Sequence, residues 1–558
     1  MPELIWNGKA EAVKAAGEVP YRLLVEDSSL SYGADADNML IQGDNLAALK
    51  ALLPYYKGQV RCIYADPPYN TGSAFEHYDD NVEHSTWLSL MYPRLELLRE
   101  LLADDGSIWI SIDDREYTNL KCICDEIFGL DCFVSNISWQ RTYSTRNDSK
   151  GIVNEVEHIL VYSRQSNWQP NKLPRTAEMN KKYKNPDNDV ALWRTDNAYA
   201  PGASTHQGMV YAIQHPFTGE MLYPSKSSCW RYQQKDMLNI MNGWCEYELR
   251  DLHDEEKRAE ICGISSDDVR AEVKGIVLVN SLAESKAKAD AVYKRGQWPK
   301  FFFTKGGKGG IARKTYLDNV GGKLPTNFWS YSEVGHTDEA KKEILAMFED
   351  KAPFATPKPE RLVERVIFLA TQENELVLDA FLGSGTTAAV AHKMNRRYIG
   401  IEMGSHAVTH CVPRLQKVVD GEQGGISKAV NWQGGGGFRF YRLGETLFDE
   451  YAIIRPDIKF AELAAHIWFT ETKRPYCGDG TSPLLGVHNG VAYYLLYNGI
   501  LRDRKPQSGN VLSQKVLAYL PPFEGPKIVY GERTLFGPAK MQQLNITFKH
   551  IPIEIKVY

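Results

Sequence analysis

The part of the chain that decides the fold reads Val60-Arg61-Cys62-Ile63-Tyr64-Ala65-Asp66-Pro67-Pro68-Tyr69. Its first six residues are mostly apolar and predict a short buried strand. The two prolines after Asp66 fix the backbone and remove two amide donors, so a carboxylate, rigid carbonyls and an aromatic ring remain at the strand end. This set suits the acceptance of hydrogen bonds from an exocyclic amino group while Tyr69 stacks on the base that carries it. For Asp66 considered alone, a turn-forming aspartate before prolines is the alternative.

A second informative segment reads Val377-Leu378-Asp379-Ala380-Phe381-Leu382-Gly383-Ser384-Gly385-Thr386-Thr387. Here an apolar strand ends in an acid, and a glycine-rich turn leads into a helix that begins at Thr386 or Thr387. The next strand ends in Glu402, at the position where nucleotide-binding α/β sheets place an acid that holds ribose hydroxyls. The pyrophosphate pattern Gly-x-Gly-x-x-Gly is absent, so the ligand that fits has a ribose but no phosphate, as S-adenosylmethionine does.

Patterning along the chain predicts an α/β protein of four segments. Residues 1–164 alternate strands and helices, and this rhythm returns in residues 331–443. Between them, residues 165–330 are rich in Asn, Lys, Gly, Tyr and Trp, which predicts a separate insertion with irregular loops. Residues 444–558 predict a smaller α/β domain that ends in strands near 551–557 and contains no catalytic motif that we can identify.

Composition indicates an ordinary globular protein. The 558 residues are 43% hydrophobic and 24% charged, and the net charge of -5 neither indicates nor excludes nucleic-acid binding. Nine cysteines without a Cys-x-x-Cys pair favour reduced thiols over a metal site. No apolar run reaches the roughly 18 residues of a membrane span, and the N-terminus lacks the pattern of a secretion signal. We therefore expect a cytoplasmic protein that does not enter a membrane.

The two segments together resemble the β class of DNA amino methyltransferases, in which the catalytic motif precedes the cofactor motif and a target recognition domain lies between them. Smaller stretches resemble the modification (Mod) subunits of Type III restriction–modification systems. Among these stretches are Gly43-Asp44-Asn45-Leu46, Ile110-Ser111-Ile112-Asp113-Asp114 and Trp432-Gln433-Gly434-Gly435-Gly436-Gly437-Phe438. The resemblance implies a permuted Rossmann-like, S-adenosylmethionine-dependent methyltransferase fold with an inserted target recognition domain (165–330) and a small C-terminal α/β domain.

The resemblance also implies an activity and partners. The expected reaction transfers a methyl group from S-adenosylmethionine to adenine N6 in double-stranded DNA. A homodimer, a partner of the ATP-dependent restriction (Res) type, and a bacterial or phage origin are implied in the same way. Methylation of cytosine N4 is the first alternative, although Ser-Pro-Pro-Tyr is the commoner motif there. A chain that acts mainly as the DNA-recognition subunit of a larger restriction complex is the second.

Each motif yields candidate site residues. The predicted catalytic residues are Asp66, Pro67, Pro68 and Tyr69. The predicted cofactor-binding residues are Asp44, Asp66, Lys358, Asp379, Phe381, Gly383, Ser384, Gly385, Thr386 and Glu402. Asp66 and the Pro67 carbonyl are expected to accept the amino hydrogen bonds, Glu402 to bind the ribose, and Lys358 to pair with the methionine carboxylate; the chemistry requires no metal. Asp44 is equally a helix N-cap, and Asp113 and Asp114 either reach the pocket or cap a helix.

Overall fold

The computed structural model describes residues 3–34, 37–70, 74–75, 78–79, 83–143, 152–348, 356–449, 451, 454–455, 458–497, 509–551 and 555. The chain forms two compact units, Met1–Asn171 with Pro325–Tyr558, and Lys172–Leu324. Within the predicted 165–330 insertion, Phe328–Trp329 pairs with a strand of the larger unit, and 165–330 as a target recognition domain stays a prediction. None of the described helices is both long enough and apolar enough to span a membrane.

An eleven-stranded mixed sheet organises the larger unit. In chain order its strands are β1 (Arg22–Glu26), β2 (Tyr32–Gly33), β3 (Met39–Gln42), β4 (Val60–Ala65), β5 (Leu102–Ile112), β6 (Phe133–Gln140), β7 (Val156–Ser163), β8 (Phe328–Trp329), β9 (Leu376–Asp379), β10 (Arg397–Glu402) and β11 (Gly437–Thr446). Their order across the sheet is β1-β11-β3-β10-β9-β4-β5-β7-β6-β8, and β2 also pairs with β11.

The centre of this sheet is parallel and joins the two halves of the sequence. Strands β11, β3, β10, β9, β4 and β5 run parallel, whereas β7 is antiparallel to both β5 and β6. Strand β9, from the second half of the chain, lies between β10 and β4, with Leu378 beside Ile63. The predicted permuted α/β fold is therefore confirmed.

Helices cover the sheet in two groups. The first group is α1 (Lys9–Glu18), α2 (Asn45–Tyr56), α3 (His84–Leu101) and α4 (Asp114–Phe128). The later helices are α5 (Thr337–Met347), α6 (Glu360–Ala370), α7 (Thr386–Lys393) and α8 (Val412–Val419). Helix α3 packs against α1, α2 and α4, while α7 packs against α6 and α8. Helix α6 illustrates the basis of this packing. Its apolar residues recur at helical spacing and are all buried: Leu362, Val363, Val366 and Ile367.

The C-terminal part of the larger unit adds a second sheet. Its strands are Leu484–His488, Val491–Leu495, Lys527–Gly531 and Ile546–His550, and two short strands, Val511–Leu512 and Arg533–Thr534, pair separately. Its helices are Phe460–Thr472, Gln514–Tyr519 and Pro538–Gln543. Leu484–His488 and Val491–Leu495 pair as an antiparallel hairpin. Most of the strands predicted near 551–557 lie outside the described residues, and a separate 444–558 domain stays a prediction.

The smaller unit is more regular than its composition predicts. Its strands are Trp193–Asn197, Tyr199–Pro201, Ile213–Gln214, Met221–Leu222, Ser228–Trp230, Tyr247–Arg250, Gly275–Leu278, Phe301–Phe303 and Ile311–Tyr316. Its helices are Ala177–Asn180, Gln234–Met241, Glu255–Cys262, Leu282–Arg295 and Thr304–Gly307. Buried aromatic side chains, including Trp193, Trp230, Trp244 and Phe301, form its core. The Trp and Tyr content that suggested irregular loops thus supplies packing area.

Candidate active site

Four neighbouring parallel strands each lead into an acidic residue. In their order across the sheet, β3, β10, β9 and β4 lead into Asp44, Glu402, Asp379 and Asp66. Because the carboxyl ends of parallel strands meet at one edge of a sheet, the two predicted motifs lie side by side. The structure thus brings together residues from segments more than 300 positions apart in the chain.

Asp66 is held by contacts from its own turn. The Tyr69 hydroxyl donates to Asp66 Oδ1 at 2.7 Å. Pro67 is buried, and the Pro68 carbonyl accepts a hydrogen bond of 2.7 Å from the Trp87 indole. Burial and the negative charges of Asp66 and Glu157 raise the pKa of Tyr69 well above its ordinary value, so its phenol remains a donor. The prolines and Trp87 therefore fix the turn that presents Asp66.

Lys358 lies against the Asp66 carboxylate. Its ammonium is 2.7 Å from Asp66 Oδ1 and 2.6 Å from Oδ2, and it sits 5.1 Å from the centroid of the Tyr69 ring. Burial lowers the pKa of Lys358, but the charges of Asp66 and Glu157 outweigh that effect and raise it above its ordinary value. The sequence predicts contact with a methionine carboxylate, and that contact stays a prediction; the structure shows an ion pair with Asp66.

Glu157 is a site residue that the sequence did not reveal. It lies on β7 with its side chain 8% exposed, accepts from the Tyr69 hydroxyl at 3.2 Å and is 3.9 Å from the Lys358 ammonium. Arg141 Nη1 donates to its other oxygen at 2.9 Å. The apolar pattern predicts a strand near 158–162, a range that does not include Glu157. The available signal was the apolar run that follows it, since an acid inside a buried strand needs a partner.

A second acid supports the turn after the catalytic motif. Asn70 adopts a left-handed conformation (φ 59°) and donates to Glu116 Oε1 at 2.8 Å. Glu116 is fully buried on α4 and also accepts from Asn119 at 2.8 Å. Arg115 Nη1 donates to the Asn70 carbonyl at 2.7 Å. These contacts hold the backbone immediately after Tyr69; residues 71–73, which belong to the same motif, lie outside the described part of the chain.

Asp379 and Glu402 organise the glycine-rich turn. Asp379 accepts from the Phe381 amide at 2.8 Å and from the Thr387 hydroxyl at 2.5 Å. Glu402 accepts from the amides of Gly383 at 2.7 Å and Gly404 at 3.1 Å. Burial, followed by the negative charges of Asp66 and Glu402, raises the pKa of Asp379 to about 7. Both acids therefore fix the backbone of the turn by accepting hydrogen bonds from it. Phe381 lies half-buried beside the turn.

Ser384 and Thr386 accept hydrogen bonds from the buried guanidinium of Arg414. Arg414 Nη1 donates to Thr386 Oγ1 at 2.8 Å and to the Ser384 carbonyl at 3.3 Å. Its Nη2 donates to the fully buried Glu360 at 2.9 Å, and Lys393 donates to the same carboxylate at 2.8 Å. The positive charges of Arg414 and Lys393 offset burial and lower the pKa of Glu360. The two hydroxyls are thus engaged within the protein, so their cofactor contacts stay predictions.

Asp44 and Asp113 both cap helices. Asp44 accepts from the Ala47 amide at 3.0 Å and pairs with Arg94 at 2.9 Å. Asp44 therefore acts as the helix N-cap that the sequence offered as its alternative role, at the same sheet edge as Asp379 and Glu402. An open cleft of about 600 Å³ lies beside it, lined in part by Gly43 and Met403. Asp113 accepts from the Arg115 amide at 3.0 Å as the N-cap of α4.

Comparison with known proteins places the chain in a family. A family model described as "DNA methylase" matches residues 60–261 and 272–412, which together make up more than half of the chain. The chain belongs to the DNA methylase family. The match begins at the first residue of β4 and contains both the Asp66 and the Asp379 segments, whereas Asp44 lies before it.

Individual members of the DNA methylase family are similar over most of this chain. A "Probable type III restriction-modification enzyme HindVI Mod subunit" from Haemophilus influenzae is 33% identical over 78% of this chain and 56% of its own length. The StyLTI Mod subunit from Salmonella typhimurium is 32% identical over 70% and 55%. The EcoP15I Mod subunit from Escherichia coli is 29% identical over 71% and 62%. The chain therefore spans little more than half the length of these curated relatives.

Proposed function

We propose that this chain transfers a methyl group from S-adenosylmethionine to the N6 atom of adenine in double-stranded DNA. The observation that carries the proposal is the adjacency of β4 and β9, which sets the Asp66 turn beside the glycine-rich turn after Asp379. One turn is suited to an exocyclic amino group and the other to a ribose-containing ligand. Methyl transfer between two bound groups requires chiefly that they be held close and in line.

The residues at the sheet edge fit this cofactor. Asp66, Asp379 and Glu402 place three carboxyl groups along the edge, which disfavours a phosphate and suits a cationic sulfonium and ribose hydroxyls. Left-handed glycines, Gly383 (φ 57°) and Gly385 (φ 82°), let a ligand approach the backbone closely. S-adenosylmethionine supplies the methyl group when it is bound. Phe381, Glu402 and the two glycines would hold it.

The catalytic turn acts on the amino group. The Asp66 carboxylate and the Pro67 carbonyl would accept hydrogen bonds from the two amino protons, which directs the nitrogen lone pair toward the methyl group. The Tyr69 ring would stack on a base turned out of the helix and offset part of the unstacking cost of a few kcal/mol. Burial of the turn strengthens these hydrogen bonds because fewer waters compete for them. The chain itself thus supplies positioning and electrostatic complementarity.

We further propose that the chain is the modification and specificity subunit of a Type III restriction–modification system. The names of the three relatives support this role, and the Lys172–Leu324 unit is our candidate for the target recognition domain. A homodimer and a complex with an ATP-dependent Res-type subunit belong to the same proposal. Co-purification of a co-expressed Res-type subunit, with light scattering on the chain alone, tests both assemblies.

The activity is tested by incubating the purified chain with tritium-labelled S-adenosylmethionine and genomic DNA from a bacterium that lacks DNA methylation. Nucleoside mass spectrometry then identifies the product. Detection of N6-methyladenine supports the proposal. Detection of N4-methylcytosine instead would show that the target base is cytosine and would overturn the adenine assignment. Absence of label in DNA, for a folded protein that binds S-adenosylhomocysteine, overturns it. Single-molecule sequencing of the product gives the modified site and strand.

A further inference from the structure

The acceptor atoms of Asp66 are already occupied within the protein. The Lys358 ammonium contacts both carboxylate oxygens, at 2.7 and 2.6 Å, and the Tyr69 hydroxyl adds a third contact at 2.7 Å. Lys358 has a side chain only 10% exposed, so these contacts are not those of a mobile surface lysine. An adenine amino group that is to donate to Asp66 competes with the ammonium, which contacts both acceptor oxygens.

A second carboxylate oxygen faces both donors that hold Asp66. Glu157 Oε2 is 3.2 Å from the Tyr69 hydroxyl and 3.9 Å from the Lys358 ammonium. Arg141 binds the other oxygen, Oε1, at 2.9 Å, which orients Oε2 toward the two donors. A movement of the ammonium by about 1 Å brings it within hydrogen-bond distance of Oε2. Glu157 is therefore the nearest alternative acceptor for the group that blocks Asp66.

Charge balance favours such a transfer. Asp66, Glu157, Lys358 and Arg141 form a set with two negative and two positive charges. If the Lys358 ammonium moves from Asp66 to Glu157, the net charge of the set is unchanged. The neutral amino group then takes the place of the ammonium as a donor to Asp66, beside the Tyr69 hydroxyl, so the partly buried carboxylate keeps two donor groups.

We propose that Lys358 occupies the amino-group position of the resting site, and that Glu157 is the positioning residue that receives its ammonium when the target base binds. This inference rests on the proposed amino methyltransferase function. It assigns Glu157 a role that a purely structural carboxylate lacks, because its contribution depends on the presence of the Lys358 ammonium. Without that ammonium, nothing has to be moved from Asp66.

A double-mutant cycle tests this dependence. Methylation of unmethylated bacterial genomic DNA is measured with saturating tritiated S-adenosylmethionine for the wild type, Glu157→Gln, Lys358→Met and the double variant. We expect Glu157→Gln to lower kcat/KM for DNA at least tenfold in the wild-type background and less than twofold in the Lys358→Met background. Equal losses in both backgrounds, or wild-type activity of Glu157→Gln, overturn the proposal. Glu155→Gln, two residues earlier, is the matched control and leaves kcat/KM unchanged.

Binding and folding are followed separately. Titration calorimetry with S-adenosylhomocysteine should give the same Kd, within twofold, for the wild type and Glu157→Gln. If Glu157→Gln does not fold, Glu157→Asp, which keeps the charge but shortens the reach to Lys358, is carried through the same cycle with the same criterion. A wild-type protein that binds S-adenosylhomocysteine but methylates no DNA contradicts the proposed function itself, an outcome distinct from an active wild type whose cycle shows equal losses.

Discussion

Leu378 lies beside Ile63 on neighbouring parallel strands, although the two residues are 315 positions apart in the chain. Asp379 follows Leu378 immediately, and Asp66 comes three residues after Ile63. This pairing therefore makes one site from two distant segments. The insertion between them can vary in length and sequence without altering the pairing, provided that its two ends return to the same sheet.

Replacement of Asp66 should separate catalysis from cofactor binding. Asp66→Ala removes the acceptor for the amino group, and we expect methyl transfer to fall by a factor on the order of 10² to 10³. The affinity for S-adenosylhomocysteine should change less than threefold, because Glu402 and the glycine turn remain. Asp104→Ala, at an exposed position of β5, is the control and should match the wild type. Retained methylation by Asp66→Ala would refute the catalytic assignment.

Gly385 provides a test of the turn. It is the N-cap of α7 with φ 82°, a left-handed conformation that costs an alanine about 1 to 2 kcal/mol. We expect Gly385→Ala to lower the Tm and weaken S-adenosylhomocysteine binding, since relief of the strain displaces the turn. Gly17→Ala is the matched control: its added methyl meets no atom within 4 Å, and alanine stabilises a helix by about 0.5 to 1 kcal/mol. Unchanged binding by Gly385→Ala would contradict a cofactor role for this turn.

The sequence predicted those parts of the site that depend on local chemistry. Proline pairs, glycine turns and acids at strand ends are visible in adjacent residues, and the structure places Asp66, Asp379 and Glu402 at one sheet edge, while their roles stay predictions. The partner of Lys358 was not predictable in the same way. Lys358 and Asp66 are 292 positions apart, and only the packed structure shows that the lysine contacts the Asp66 carboxylate.

The position at which strand β7 begins explains why the sequence did not reveal Glu157. Apolar periodicity places β7 at 158–162, but the strand runs from Val156 to Ser163 because Val156 and Glu157 pair with Gln140 and Trp139. Pairing with a neighbour extends a strand beyond its apolar core, and a sequence pattern carries no record of the neighbour. Glu157 was therefore left outside the predicted strand. The same reason placed Phe328–Trp329 inside the predicted insertion.

The buried acid beneath the glycine turn should matter for stability. Glu360→Gln leaves Arg414 without its anionic partner, whereas Lys393 retains Glu422. Breaking one side of a buried ion pair costs about 3 kcal/mol or more, so we expect a clearly lower Tm. Cofactor affinity should fall as well, because Arg414 holds the Ser384 carbonyl. Glu373→Gln is the control, because it removes a negative charge from an exposed residue in the loop before β9. It should leave the Tm and the cofactor affinity unchanged. A wild-type Tm for Glu360→Gln would show that the cluster does not support the turn.

Asp379 makes stability depend on pH in a predictable direction. Its pKa rises from an ordinary 3.8 to about 7, so between these values the folded state holds a proton that the unfolded state has lost. Stability from this group is therefore present at low pH and is lost as the pH rises toward 7.

The variant Asp379→Asn tests this pH dependence because its side chain does not titrate. Its Tm relative to the wild type should increase from pH 4.5 to pH 8. The shift corresponds to on the order of 2 to 4 kcal/mol at the higher pH. Differential scanning fluorimetry across this range measures it, with the exposed Asp104→Asn as the control. A Tm difference between Asp379→Asn and wild type that does not vary with pH would contradict the raised pKa.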